Sequence, residues 1–217
     1  MRRPARGFTL IEVLVVSALV AALAALSIPV LLRSRMTATG AGASATLRLL
    51  VAAESIWASQ DADRNGKPDY WTLDVRGFYG IRTPNGAPVA VIDPAVAMAD
   101  RNPAVTYAAP VNRTEPKSGY YYRAMTRDQD NAAYVDRSQP AAQAAPVARR
   151  YGTNPRRFGF TAYPAQHGTD GVMNYMVNED GVIWQYDSPS GPFLNRSQAA
   201  PPGRNRSPRG PWTRCGE

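Results

Sequence analysis

RGFTLIEVLV, residues 6–15, decides how the rest of the chain is read. It opens an apolar run, residues 8–32, in which Glu12 is the only charge. At 1.5 Å per residue such a helix is roughly 37 Å long, enough for the ~30 Å hydrocarbon core of a bilayer. Arg2, Arg3 and Arg6 precede it and favour a cytoplasmic N-terminus; Arg33 and Arg35 beyond it weaken that orientation without reversing it. A cleavable secretory signal would share the basic start, with Ala22-Leu23-Ala24 as a cleavage site. The apolar character, however, continues past that site, and a glutamate fifth in the run does not suit such a signal.

A carboxylate at membrane depth costs a few kcal/mol unless it is paired or lies near the interface. No basic residue is close within the helix, so the partner of Glu12 is expected from outside this stretch. Cleavage between Gly7 and Phe8 would create an α-amino group, and the amine of a neighbouring, axially staggered chain could meet the glutamate directly.

Gly7 followed by Phe8-Thr9-Leu10-Ile11-Glu12, after a short basic leader and before about twenty apolar residues, resembles the class III signal of type IV pilins and type II secretion pseudopilins. The resemblance implies that a membrane prepilin peptidase cuts after Gly7 and that the new N-terminal Phe8 is methylated. It also implies that Glu12 pairs with a neighbour's N-terminus during assembly. Pro29 matches the position where many pilins carry a helix-kinking proline. By itself Pro29 removes one backbone hydrogen bond and crowds the preceding turn, which a membrane helix tolerates. The resemblance covers only about the first 30 residues.

Beyond Leu32 the helix is expected to continue to about Ser59. Leu47, Leu50, Val51 and Trp57 form a stripe suited to packing on a sheet, with Glu54 beside them. A helix of that length cannot fit inside a domain of this size, so its first half must protrude.

Residues 61–74, DADRNGKPDYWTLD, have the spacing of a calcium loop. Asp61, Asp63 and Asn65 occupy positions one, three and five, Gly66 the turn, Lys67 a carbonyl position and Asp69 position nine. Thr72 stands where the bidentate glutamate belongs, and Asp74 is a replacement at the wrong spacing. The plainer reading is a polar turn ending the long helix. A structural calcium ion stiffening this junction is the expectation carried forward.

The rest reads as a loop-rich β domain. GFYGI (77–81), YYYRAM (120–125), FGFTAY (158–163), MNYMV (173–177) and VIWQY (182–186) are expected strands, the last two joined by a hairpin at Asn178-Glu179-Asp180-Gly181. The stretches 71–79 and 158–186 also resemble globular domains attached to some pilin-like proteins. Residues 138–154 read as a surface loop, and residues 193–217, rich in Pro and Arg, as a flexible tail. Cys215, the sole cysteine, permits no intrachain disulfide. His167 is the sole histidine and has no recognised hydrolase spacing around it.

The chain carries a net charge of +8, but its ends hold most of it: residues 8–192 contain 17 basic and 16 acidic side chains. That near balance makes no case for a nucleic-acid partner. The expected organisation is therefore α+β: a leader (1–7), a membrane or filament-core helix (8–32), its amphipathic continuation (33–60), a sheet domain (61–192) and the tail. The expected function is that of a pilin or pseudopilin, not an enzyme. It would be made as a single-pass inner-membrane precursor, then assembled with copies of itself and related pilins on an inner-membrane platform into a periplasmic or surface filament. The competing reading is a membrane-tethered binding or enzymatic domain.

Overall fold

The computed structural model describes residues 7–62, 66–82, 86–104, 106–134, 153–187 and 206–216. Helix α1 runs without interruption over Leu10–Gln60, through Pro29. Its 51 residues are about 77 Å long. In residues 8–32 every large apolar side chain is 48–84% exposed. From Gly40 onward one face turns inward, burying Ala43, Leu47, Leu50, Ala53, Glu54 and Trp57. The helix closes at Asp61, whose backbone is left-handed (φ 44°) and whose N–H donates to the Trp57 carbonyl.

The sheet that receives this face has five antiparallel strands: β2 (Tyr120–Ala124), β4 (Gly159–Pro164), β5 (Met173–Asn178), β6 (Trp184–Asp187) and β7 (Thr213–Arg214), in that spatial order. A two-stranded ribbon of β1 (Tyr70–Trp71) and β3 (Thr153–Asn154) lies apart from it. Because strand side chains alternate between faces, Tyr120, Tyr122, Phe160, Ala162, Tyr175 and Val177 join α1 in the core. Gly40 makes the close approach possible: a Cβ there would come within 2.5 Å of the Tyr175 hydroxyl oxygen. Trp57 anchors the other end, 5.2 Å from the Trp71 ring and edge-on to Phe78 at 5.8 Å. The arrangement is α+β and pilin-like, a protruding helix whose second half packs on a sheet.

Four of the five expected strands form, with β6 beginning two residues later than its apolar run. The fifth does not. GFYGI contains the short helix α2 (Gly77–Gly80), because the Asp74 carboxylate accepts the Gly77 N–H at 2.8 Å and turns the chain there. A second short helix, α3 (Pro94–Met98), follows Asp93, whose carboxylate caps the Ala95 N–H. The tail also departs from expectation. Its last part forms β7, which pairs with β6, and Trp212 packs on Tyr186 and Trp184 as a small second core. Most of the expected loop at 138–154 lies outside the described residues.

Candidate functional site

The N-terminal segment holds the lone charge of the apolar run in a defined geometry. Thr9 is the N-cap of α1, and its hydroxyl accepts the Glu12 N–H at 3.2 Å. The Glu12 Oε2 accepts in return from the Thr9 backbone N–H and from its hydroxyl, both at 2.9 Å. This is a reciprocal capping box, which satisfies amides that a helix start otherwise leaves open. Glu12 thus has hydrogen-bond partners within its own stretch, beside the charged partner expected from outside it. The Thr-x-x-Glu spacing that announces the box stands plainly in residues 9–12.

The box leaves the carboxylate usable. All its described hydrogen bonds fall on Oε2, so Oε1 has no partner among the described residues. The Thr9 amide belongs to residue two of a chain beginning at Phe8, so the box survives a cut after Gly7. Gly7 and Phe8 precede the helix outside any regular element, and both are exposed. Pro29 sits mid-helix and leaves α1 unbroken.

At the far end of α1 lies a set of buried acids. Glu54 is fully buried, and its Oε2 accepts the Trp71 N–H at 2.8 Å, tying α1 to β1. Burial pushes its carboxyl well above the usual range, and the nearby Asp69 charge pushes in the same direction. Asp74 accepts from the Gly77 N–H, the Ala104 N–H and the Tyr107 hydroxyl, each at 2.8 Å by its shortest contact. Asp100 accepts from the Val75, Arg76 and Asn102 amides at 2.9 Å. Desolvation, and then the charge of Asp74, raises the Asp100 carboxyl to about 7. Both acids organise the chain between β1 and β2, a structural role that sequence reading missed, since nothing local marks their distant partners.

The expected calcium loop is only partly in view. Asp63 and Asn65 lie outside the described residues. The Asp61 carboxylate accepts the Gly66 N–H at 2.9 Å, closing the loop where a sharp turn was expected (Gly66 φ +76°). Asp69 is buried. Asp74 is not a replacement ligand, because its oxygens are engaged within the core. Among the described residues no three His, Cys, Asp or Glu side chains are grouped to hold a metal. The half-buried His167 has its Nε2 3.1 Å from the carboxylate of Asp187 at the end of β6.

Comparison with known proteins adds two family matches. Residues 2–28 match the prokaryotic N-terminal methylation motif. Residues 76–196, more than half of the chain, match a family described as a protein of unknown function (DUF2950). The chain belongs to that family. Its first segment is the class III prepilin signal of type IV pilins and pseudopilins, and the chain is accordingly a pilin-like precursor. No curated protein matches the chain, and no solved structure does. The DUF2950 segment spans α2 through β6, and so takes in the sheet core but not the helix or β7.

Proposed function

We propose that this protein is the structural subunit of a filament, released from its leader by cleavage between Gly7 and Phe8, methylated at Phe8, and polymerised through residues 8–32. One observation carries the reading: a helix half that is apolar and exposed on every side, with one carboxylate near its start whose Oε1 is still open. Neither a lone domain nor a membrane anchor alone accounts for a glutamate held at that point. A neighbour's N-terminal amine would donate to Oε1 while Thr9 keeps Oε2, so charge pairing and helix capping act together. Before assembly the same helix holds the precursor in the inner membrane, the one helix among the described residues long and apolar enough to cross it. Prepilin peptidase and an inner-membrane assembly platform are the partners this requires. A secretion pseudopilus in the periplasm and a pilus at the cell surface both suit the geometry.

The test is Glu12→Ala in the native host. Processing should persist while filaments disappear. Filaments of normal abundance in that variant would overturn the pairing role and favour a membrane-tethered domain.

The calcium expectation stands as a subsidiary proposal: an ion held by Asp61, Asp63, Asn65, the Lys67 carbonyl and Asp69 would stiffen the junction between α1 and β1. The closed Asp61–Gly66 turn supports it.

A further inference from the structure

Burial changes the charge balance on which the expectation about nucleic acid rested. Glu54, Asp69, Asp74, Asp100 and Asp128 are all buried, at 4% exposure or less, against one buried base, Arg76. The described residues between 8 and 187 hold 13 basic and 14 acidic side chains; without the five buried acids and the one buried base, 12 bases stand against nine acids, an excess of three positive charges. Among the described residues the surface side chains are basic in balance although the composition is nearly neutral.

Part of that charge is gathered on the sheet face turned away from α1. Tyr121 of β2 lies opposite Tyr163 of β4, and Arg123 opposite Thr161. These residues alternate with the core-facing Tyr120, Tyr122 and Ala124, so they share the outer face. The two tyrosine rings are 6.1 Å apart. Arg101 is brought to the same corner because residues 99–101 run alongside β2, with the Arg101 N–H donating to the Tyr122 carbonyl. Its guanidinium carbon stands 5.1 Å from the centre of the Tyr121 ring. Burial pushes the Tyr163 hydroxyl up to about 12, and the Arg101 and Arg123 guanidinium groups are close enough to oppose that shift. Neither arginine forms an ion pair among the described residues, whereas Arg157, Arg206 and Arg209 all do. The nearest acid by sequence, Asp100, is buried and held by three amides. Two partly exposed tyrosine rings and two guanidinium groups without an ion pair among the described residues therefore sit together, Tyr121, Arg123 and Tyr163 on strands and Arg101 on the segment beside β2.

We infer that this corner of the sheet, Arg101, Tyr121, Arg123 and Tyr163, binds single-stranded nucleic acid without sequence preference. A guanidinium matches a phosphate by two parallel hydrogen bonds. An aromatic ring, or a guanidinium plane laid on one, offers the flat surface on which an unpaired base stacks. Tyr163 and the Arg101–Tyr121 pair are two such surfaces, with Arg123 beside them to take a phosphate. Two neutralised phosphates give a salt dependence that a purely apolar contact lacks. An acidic polysaccharide would use the arginines but has no bases to stack, and the test separates the two. The inference does not depend on filament assembly.

The experiment uses the full chain in detergent micelles and a fluorescein-labelled oligothymidylate of twenty nucleotides, read by anisotropy. R101Q/R123Q should weaken binding about tenfold or more and reduce the steepness of the log affinity–log salt plot by about 1.4. Tyr163→Leu, which keeps an apolar side chain on the strand, should weaken binding about fivefold or more. R48Q/R113Q, which removes the same charge elsewhere, should change it by less than about twofold. The inference is overturned if R48Q/R113Q weakens binding as much as R101Q/R123Q, or if the oligonucleotide fails to bind at low salt. Polygalacturonate bound as tightly as the oligonucleotide, with no effect of Tyr163→Leu, would equally contradict it and assign the corner to acidic polysaccharide.

Discussion

The Glu12 Oε2 and the Thr9 backbone nitrogen are 2.9 Å apart, so the lone acid of the apolar run also caps the helix that carries it. Capping and assembly can then be separated by substitution. Thr9→Ala removes the hydroxyl that caps the Glu12 amide and should cost the helix start about 1 kcal/mol. The amides of residues 10–13 in detergent micelles should exchange about fivefold faster, with the globular core unchanged. Unaltered exchange at those amides would mean that the box contributes nothing to the helix start.

Glu54 predicts a pH dependence. Its folded pKa is raised, so the folded state holds this proton more tightly than the unfolded state. Stability from this group is present below the ordinary glutamate value of 4.5 and is lost as pH rises from there toward the raised folded value. Asp100 acts in the same direction between 3.8 and about 7. Glu54→Gln keeps an oxygen for the Trp71 amide and removes the titration. Its melting temperature should exceed that of the parent chain at pH 8 and approach it near pH 4. The difference should grow by at most about 1.4 kcal/mol per pH unit within the window. A constant difference across that range would exclude the buried glutamate as the cause.

Trp212 tests whether the C-terminal strand belongs to the fold. It is 9% exposed and packs on Tyr186 with the ring centres 5.7 Å apart and the planes tilted by 48°. Trp212→Ala should cost about 3 kcal/mol, the usual loss for a buried aromatic, and should free β7 for early proteolysis. A loss below about 0.5 kcal/mol, the scale of ordinary surface changes, would show that the tail merely rests on the sheet.

The parts of the fold that were legible are those governed by local pattern. The apolar run, the stripe at Leu47, Leu50 and Trp57, and four strands rich in aromatic and β-branched residues follow from periodicity. Glu54 lies within the same helical stripe, so its burial was readable in principle, though a charge in that position invites the opposite assumption. What was not legible depends on distant partners. The aromatic run GFYGI looks like a strand, yet Asp74 winds it into α2 while gripping Tyr107 and the Ala104 amide. β7 is two residues long, without room for any alternation, and forms because β6 offers an open edge. At the candidate site, Gly7, Phe8 and Glu12 were marked by their motif, whereas the role of Thr9 was overlooked because Glu12 was read as a charge seeking a charge.

The calcium proposal makes a thermal prediction. If Asp61, Asp63, Asn65, Lys67 and Asp69 hold an ion, then excess chelator should lower the melting midpoint, and added calcium should restore it in proportion to its free concentration. Asp61→Asn should reduce the shift. An identical midpoint with and without chelator would rule the ion out.

The central claim is that the chain is matured as a filament subunit, and intact-mass and N-terminal analysis of the protein recovered from native envelopes or shed filaments tests it most directly. The account predicts a chain beginning at Phe8 and carrying one added methyl group on its amine. A chain beginning at Met1, or one cut after Ala24 or nearby, would contradict it.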